Sequence, residues 1–386
     1  MGRFGTVGHG SRLRGQVERP AIPTVGRRVM IAQWFARVSG TGSRRLYVTL
    51  ALVSAALIAS ACYEAARERL VLDDAAPMSV AIIVHGAPGD PFWEEVRAGA
   101  EDAARTFDVN LFWRSTPDGS ERVRLIDEVV QQGFDVIVVS LSDPDPVAEV
   151  VSDALLIGVT VYVINAGDAI GSELGVDSYF GQVETVAGLA VGDRLTEVGA
   201  THLLCVKHEE RNVALDTRCS RAGQRVGALT ELYVDPEGPV GEQVEAAIRA
   251  DSTIDAVLTM NTLLMSEATD AIDRIRETDT RSIVHAVFEL NDLVLDAIEN
   301  GTVLFAVDQQ PYLQGYLPVA YSRLTQYSHR TQGDELADAL LQWIAGRGVL
   351  LGPGFVDQGN VDRVRSATQR SQTPSGTDEQ STEETE

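Results

Sequence analysis

Polar side chains placed directly behind short apolar runs are where this chain could bind or transform something. The clearest cluster is Asp308-Gln309-Gln310, which ends the apolar run 303–307 and is followed by Pro311. Proline cannot continue a sheet ladder, so a strand should stop there and residues 312–317 should open a helix. Other apolar runs end the same way, in His85 to Asp90, Ser140-Leu141-Ser142-Asp143, Asn165-Ala166-Gly167-Asp168, Lys207-His208-Glu209, Asn261-Thr262 and Glu289. Amides, carboxylates and guanidinium groups together can both donate to and accept from a small polar ligand. Phe92 and Trp93, behind Asp90 and Pro91, fall on what should be the exposed first turn of a helix, placed to stack on a ligand ring. Each residue also has a plainer reading. Asp90 can be a helix cap, Trp93 a core residue and Glu289 a carboxylate favoured by a helix dipole. No nucleophile is paired with a base, and charges such as 207–209 at a strand end are usually solvated. The set suits binding better than catalysis.

The elements that must position these groups are legible as an alternation. Apolar runs at 80–84, 109–113, 136–139, 159–164, 203–206, 256–259, 283–287 and 303–307 alternate with amphipathic stretches. The stretches are 93–106, 120–132, 146–157, 185–198, 217–230, 240–250, 262–277 and 290–300. Strict alternation implies parallel sheets with right-handed crossovers, and such sheets place ligands at the carboxyl ends of their strands. Eight units could close into one barrel or divide into two doubly wound halves.

Composition narrows the function. The 386 residues are 44% hydrophobic, enough for one large or two medium cores. A net charge of −24 argues against nucleic acid, which needs a basic surface. Lys207 is the only lysine. There is no Gly-x-Gly-x-x-Gly after the first strand, no phosphate-binding loop and no His-Glu-x-x-His. The six histidines lack ligand spacing, so neither a metal nor a cofactor is expected.

The ends differ from the middle. Residues 1–43 are rich in Arg and Gly, with a second possible start at Met30. Arg44 and Arg45 precede an uncharged apolar run, 46–61, of signal-peptide length. It ends Ala59-Ser60-Ala61-Cys62, similar to the bacterial lipoprotein processing site, although that pattern prefers Leu where Ala59 stands. A cleaved signal and an uncleaved anchor are the alternatives, and all three put the remainder outside the cytoplasmic membrane. Residues 63–76 read as a linker and 366–386 as a disordered acidic tail. Cys205 and Cys219 could form a disulfide, or Cys205 could be a buried thiol.

The series Gly89-Asp90-Pro91-Phe92-Trp93, Arg218, Asn261, Glu289 and Asp308-Gln309-Gln310-Pro311-Tyr312 resembles, in order and spacing, the ribose- and galactose-type periplasmic sugar-binding proteins. These are the substrate-binding components of ABC importers, and the likeness runs from about Ser79 to Asp362. It implies an α/β fold of two doubly wound parallel-sheet lobes joined by three crossovers, near 177–183, 307–311 and 348–356. Lobe one would be 77–180 plus 310–348 and lobe two 181–308 plus 353–365, with 1–62 as a signal-bearing extension. The resemblance also implies roles. Asp90, Phe92, Trp93, Asn165, Arg218, Asn261, Glu289 and Gln309 would hold a sugar, the two aromatics by stacking on its ring, and Cys62 would carry lipid. The implied partners are a sugar or polyol, a membrane permease and, through the anchor, the membrane, with the chain a monomer in the cell envelope that catalyses nothing. Ribose-type members usually have an Asp-Arg pair where this chain has Asn165-Ala166, and Asp where it has Glu289. Those departures leave the ligand open among sugars, polyols and other small polar solutes. The rivals are a sugar-sensing accessory protein for a membrane receptor, an enzyme on the same scaffold, and a lac-repressor-type regulator. The regulator would need a basic helix-turn-helix where this chain has its apolar run.

Overall fold

The computed structural model describes residues 77–331 and 348–372. The extension 1–62 with Cys62, the linker 63–76, residues 332–347 and the end of the chain beyond Gln372 lie outside the described residues.

Among the described residues ten strands alternate with helices, the eight read from sequence plus two that were not, and two short strands follow. They are β1 (Met78–Val84), α1 (Pro91–Phe107), β2 (Val109–Ser115), α2 (Gly119–Gln131), β3 (Val136–Val139), α3 (Ala148–Leu156), β4 (Thr160–Ile164), α4 (Asp168–Leu174) and β5 (Ser178–Gly181). The second half repeats the plan with α5 (Glu184–Glu197), β6 (His202–Lys207), α6 (Val213–Val226), β7 (Ala228–Tyr233), α7 (Val240–Ala250), β8 (Ala256–Thr259), α8 (Thr262–Arg276), β9 (Val284–Phe288), α9 (Asp292–Glu299) and β10 (Phe305–Asp308). Last come α10 (Pro311–Thr331), β11 (Val349–Leu350), β12 (Gly354–Asp357) and α11 (Val361–Gln372). Pro311 does open α10. The helix α11 continues to Gln372, so the tail expected to be disordered from Ser366 is ordered over its first residues.

The strands form two six-stranded sheets, β11-β5-β4-β3-β1-β2 and β12-β10-β9-β8-β6-β7. The halves are therefore separate, and a single barrel is excluded. The chain changes sheets three times, after Gly181, after Asp308 and after Leu350. Among the described strands only β12, antiparallel to β10, departs from parallel pairing. Central strands such as β3 and β8 are buried at every position, which is why they read as unbroken apolar runs.

Two helices pack against the sheet opposite to their own half of the chain. Helix α10 follows β10 of sheet two but lies on α1 of lobe one, and a Cβ on Gly315 would sit 1.8 Å from the carbonyl oxygen of Val96. Helix α5 follows β5 of sheet one but packs on α6 of lobe two. Each lobe thus holds a helix from the other half, which fixes where the crossovers emerge. The Cys205–Cys219 disulfide is formed, with 5.8 Å between Cα atoms, and ties β6 to α6.

Candidate functional site

Facing strand ends from both sheets meet at the crossovers, and the densest polar group there centres on Arg218. Helix α6 starts at Asn212, whose side chain accepts from Ala214 N at 2.9 Å, so Arg218 falls one and a half turns into the helix. Its Nε donates to Glu184 Oε2 at 2.5 Å and its Nη2 donates to Glu184 Oε1 at 2.7 Å. The same Nη2 reaches Gln309 Oε1 at 2.6 Å. Gln182 Nε2 donates to Glu184 Oε2 at 2.9 Å. The first and second crossovers, at 182–184 and 309, are therefore joined through one guanidinium. Burial opposes the charge on Arg218, but the Glu184 carboxylate more than offsets it and raises its pKa. The Arg218 fork also lies over the Phe288 ring, 4.6 Å from its centroid.

Lobe one supplies the wall around α1. Asp90 caps that helix by accepting from Phe92 N at 2.9 Å. Phe92 and Trp93 are 8% and 4% exposed, so the exposed first turn expected for them is not observed. The reason is local packing. Trp93 stands edge-on to His85 at 4.8 Å and to Phe92 at 5.1 Å, and it fills the space where Gly86 would carry a Cβ. His85, which sequence reasoning left unassigned, pairs its Nδ1 with Ser140 Oγ at 2.6 Å. Burial, helped by Arg122 and Arg218, lowers its pKa to about 3, so it stays neutral near neutral pH.

Asn165 and Glu289 occupy equivalent places in the two lobes. Each follows the fourth strand of its sheet with a left-handed backbone, φ 63° and 74°. Each donates its N–H to the fifth strand, Asn165 to Phe180 O at 3.4 Å and Glu289 to Val307 O at 2.9 Å. Non-glycine residues in this region store strain, which structures tend to keep at functional positions. Enclosure, reinforced by Asp90 opposite, pushes the Glu289 carboxyl well above the usual range, while Arg218 pulls it down. Asn261 caps α8, its Oδ1 accepting from Leu264 N at 3.1 Å.

Two cavities run between the lobes. The larger, ≈ 1240 Å³, opens at the mouth and is lined by His85, Asp90, Arg122, Ser142, Glu209 and Asn261, among others. The smaller, ≈ 340 Å³, lies toward the crossovers and is lined by Phe92, Glu289, Asp308 and Gln309, among others. Trp93, Asn165 and Arg218 do not line either of these two cavities. At the mouth the lobes touch. Val213 N donates to Ser142 O at 2.9 Å, and Arg211 pairs with Asp143 at 3.1 Å. Among the described residues no group of His, Cys, Asp and Glu could hold a metal ion, and no helix is long and apolar enough to cross a membrane.

Sequence reasoning missed Glu184, Gln182, His85 and Arg122. Gln182 and Glu184 follow β5 just as Gln309 and Gln310 follow β10, so the repeat of the first half in the second could have found them.

The profile described as periplasmic binding protein domain matches residues 80–323, more than half of the chain. The chain belongs to the periplasmic binding protein family. A solved carbohydrate transporter from Acidothermus cellulolyticus, in complex with myo-inositol, is 34% identical with a TM-score of 0.67. That comparison covers 76% of this chain and 99% of the other. The xylose/arabinose-binding protein XylF of Sulfolobus acidocaldarius is 22% identical over 282 residues, and this chain spans 63% of its length and 61% of its own. An ABC transporter solute-binding protein from Burkholderia graminis, in complex with D-arabinose, is 18% identical with a TM-score of 0.60, over 74% of this chain and 97% of that one, a likeness of fold. Two parallel-sheet lobes joined by three crossovers are the architecture of this periplasmic binding protein. Membership implies a place outside the cytoplasm.

Proposed function

We propose that this periplasmic binding protein captures a sugar or related polyol between its two lobes and delivers it to an ABC-type importer. The carrying observation is the convergence of polar side chains from both lobes and from the crossovers, joined through Arg218, Glu184 and Gln309. A ligand touching Asp90 and Phe92 from lobe one, and Asn261 and Glu289 from lobe two, with Trp93, Asn165 and Arg218 packed behind them, makes all its contacts only when the lobes close. Gln309 lies at a crossover and reaches the ligand whatever the lobe angle. The lobes are built on the two sheets, one with β1 to β5 and β11 and the other with β6 to β10 and β12, and they turn about the crossovers. The relative bound to myo-inositol supports a cyclic polyol as the solute, and the aromatic pair with mixed amides and carboxylates suits one. The protein works as a monomer and turns nothing over. Cys62 carries a lipid anchor, and Cys62→Ala should abolish labelling by a fatty-acid probe; equal labelling of the variant contradicts the anchor.

A melting-temperature panel with myo-inositol, D-xylose, L-arabinose, D-galactose and D-ribose tests the reading. A bound solute at about 100 times its Kd stabilises by ~2.7 kcal/mol. A few compounds should shift the transition and none should be consumed. No shift from any of them, or loss of the solute during incubation, contradicts the proposal.

A further inference from the structure

Two arginines are buried at or behind the cleft, and their partners differ. Arg218 and Arg122 are each 2% exposed. Arg218 has a bidentate carboxylate partner. Arg122 forms no ion pair among the described residues; its Nη1 donates to Ser142 Oγ at 3.3 Å and its Nε has no hydrogen-bond partner. The carboxylate whose field acts on it most, Asp143, is engaged by Arg211. Burial weakens the hold of Arg122 on its proton, and only the fields of Asp143, Glu209 and Asp118 offset this.

Three costs therefore fall on one side chain. A buried cation without a partner is expensive to desolvate. An unmet N–H donor inside the protein forgoes a hydrogen bond. Arg122 is also the fourth residue of α2, where a positive charge opposes the helix dipole. A local rule broken without compensation within the fold points to a functional position. Arg122 lines the larger cleft cavity beside His85, Asp90 and Asn261, so a bound solute is within its surroundings. That cavity also carries Asp90, Asp118, Asp143, Asp145, Glu209 and Glu237, which disfavours an anionic ligand.

We infer that Arg122 is a further ligand-binding residue, donating to a hydroxyl at the mouth-facing end of a neutral polyhydroxylated solute and setting specificity for that hydroxyl. The inference rests on the solute-binding reading above and extends it to a helix that the sequence resemblance did not implicate.

Arg122→Met tests this, because it keeps an unbranched apolar stem and removes the guanidinium with its charge and donors. Two readouts separate the roles. The melting temperature of the ligand-free protein should stay the same or rise, since nothing in the fold needs the charge, while affinity for myo-inositol should fall about 10- to 100-fold, the loss of a charge-assisted hydrogen bond. A set of monodeoxy-inositols supplies the second arm. The wild type should lose about tenfold or more toward one isomer, and Arg122→Met should no longer distinguish that isomer from myo-inositol. A lower ligand-free melting temperature with unchanged affinity makes Arg122 structural and overturns the inference alone. A wild-type protein that binds none of these compounds or the panel sugars overturns the solute-binding reading, and the Arg122 role with it.

Discussion

Glu184→Ala should destabilise the protein by about 3–5 kcal/mol, the effect of leaving one member of a buried ion pair uncompensated. Glu184 and Arg218 are each 2% exposed, so water cannot replace the lost carboxylate. The two hydrogen bonds from Arg218 and the one from Gln182 all end on that carboxylate. Removing it leaves Arg218 with Gln309 Oε1 alone among the partners described above, and Gln309 sits at the second crossover. Solute affinity should fall with stability, since the guanidinium is then free to turn away from the cleft. Glu184→Met/Arg218→Met together should cost less than Glu184→Ala, because no buried charge is left without a partner. Urea denaturation of the wild type and these two variants measures this. A single variant within about 1 kcal/mol of wild type would show that the pair is solvated and that the polar centre is not a dry one.

Acid should also destabilise the protein more than its carboxylates predict. His85 in the cleft and His285 in lobe two are both lowered to about 3, chiefly by burial. His85 is further lowered by Arg122 and Arg218, and His285 by Arg276. An unfolded histidine takes up its proton near pH 6.5. As pH falls from there toward 3, the unfolded chain binds protons that the folded chain refuses, so stability falls with pH. Each histidine contributes on the order of several kcal/mol at the acid end. Glu289, whose pKa is raised by enclosure and Asp90, acts in the opposite sense and softens the slope. His285 is the cleaner probe. It lies between Thr259 Oγ1 and Thr269 Oγ1, both at 3.1 Å, away from the candidate site. Urea midpoints from about pH 7 to about pH 4 should fall steeply in wild type and less steeply in His285→Gln. Equal midpoints at both ends contradict the burial of neutral histidines.

How much of this was legible follows from which physical signals survive in one sequence. Buried central strands such as β3 and β8 were legible because every position is apolar. The edge strand β7, Ala228–Tyr233, was missed because it is never fully buried and lacks an apolar run. That omission also displaced helix α6 to 217–230, although Asn212 offered a capping signal at its true start. The short β5 was hidden by its composition, Ser-Tyr-Phe-Gly, and with it went Gln182 and Glu184. Gln309, Asn261 and Glu289 could be found because each ends an apolar run that was recognised. Arg122 could not be found that way. Between Glu121 and Arg124 on a charged helix face it has the pattern of a solvated side chain, and only packing shows that it is buried. Trp93 shows the reverse error, an aromatic expected to be exposed that is 4% exposed against His85 and Phe92.

Small-angle scattering of the wild-type protein without solute, and then saturated with the panel compound that most raises its melting temperature, tests closure directly. The lobes touch through Val213 with Ser142 and Arg211 with Asp143, contacts that an open cleft lacks. The account predicts a smaller radius of gyration with the solute, and a reduced affinity in Gln309→Ala by about 1–3 kcal/mol. Tight binding with no compaction, and with Gln309→Ala binding as well as wild type, would contradict capture between the lobes.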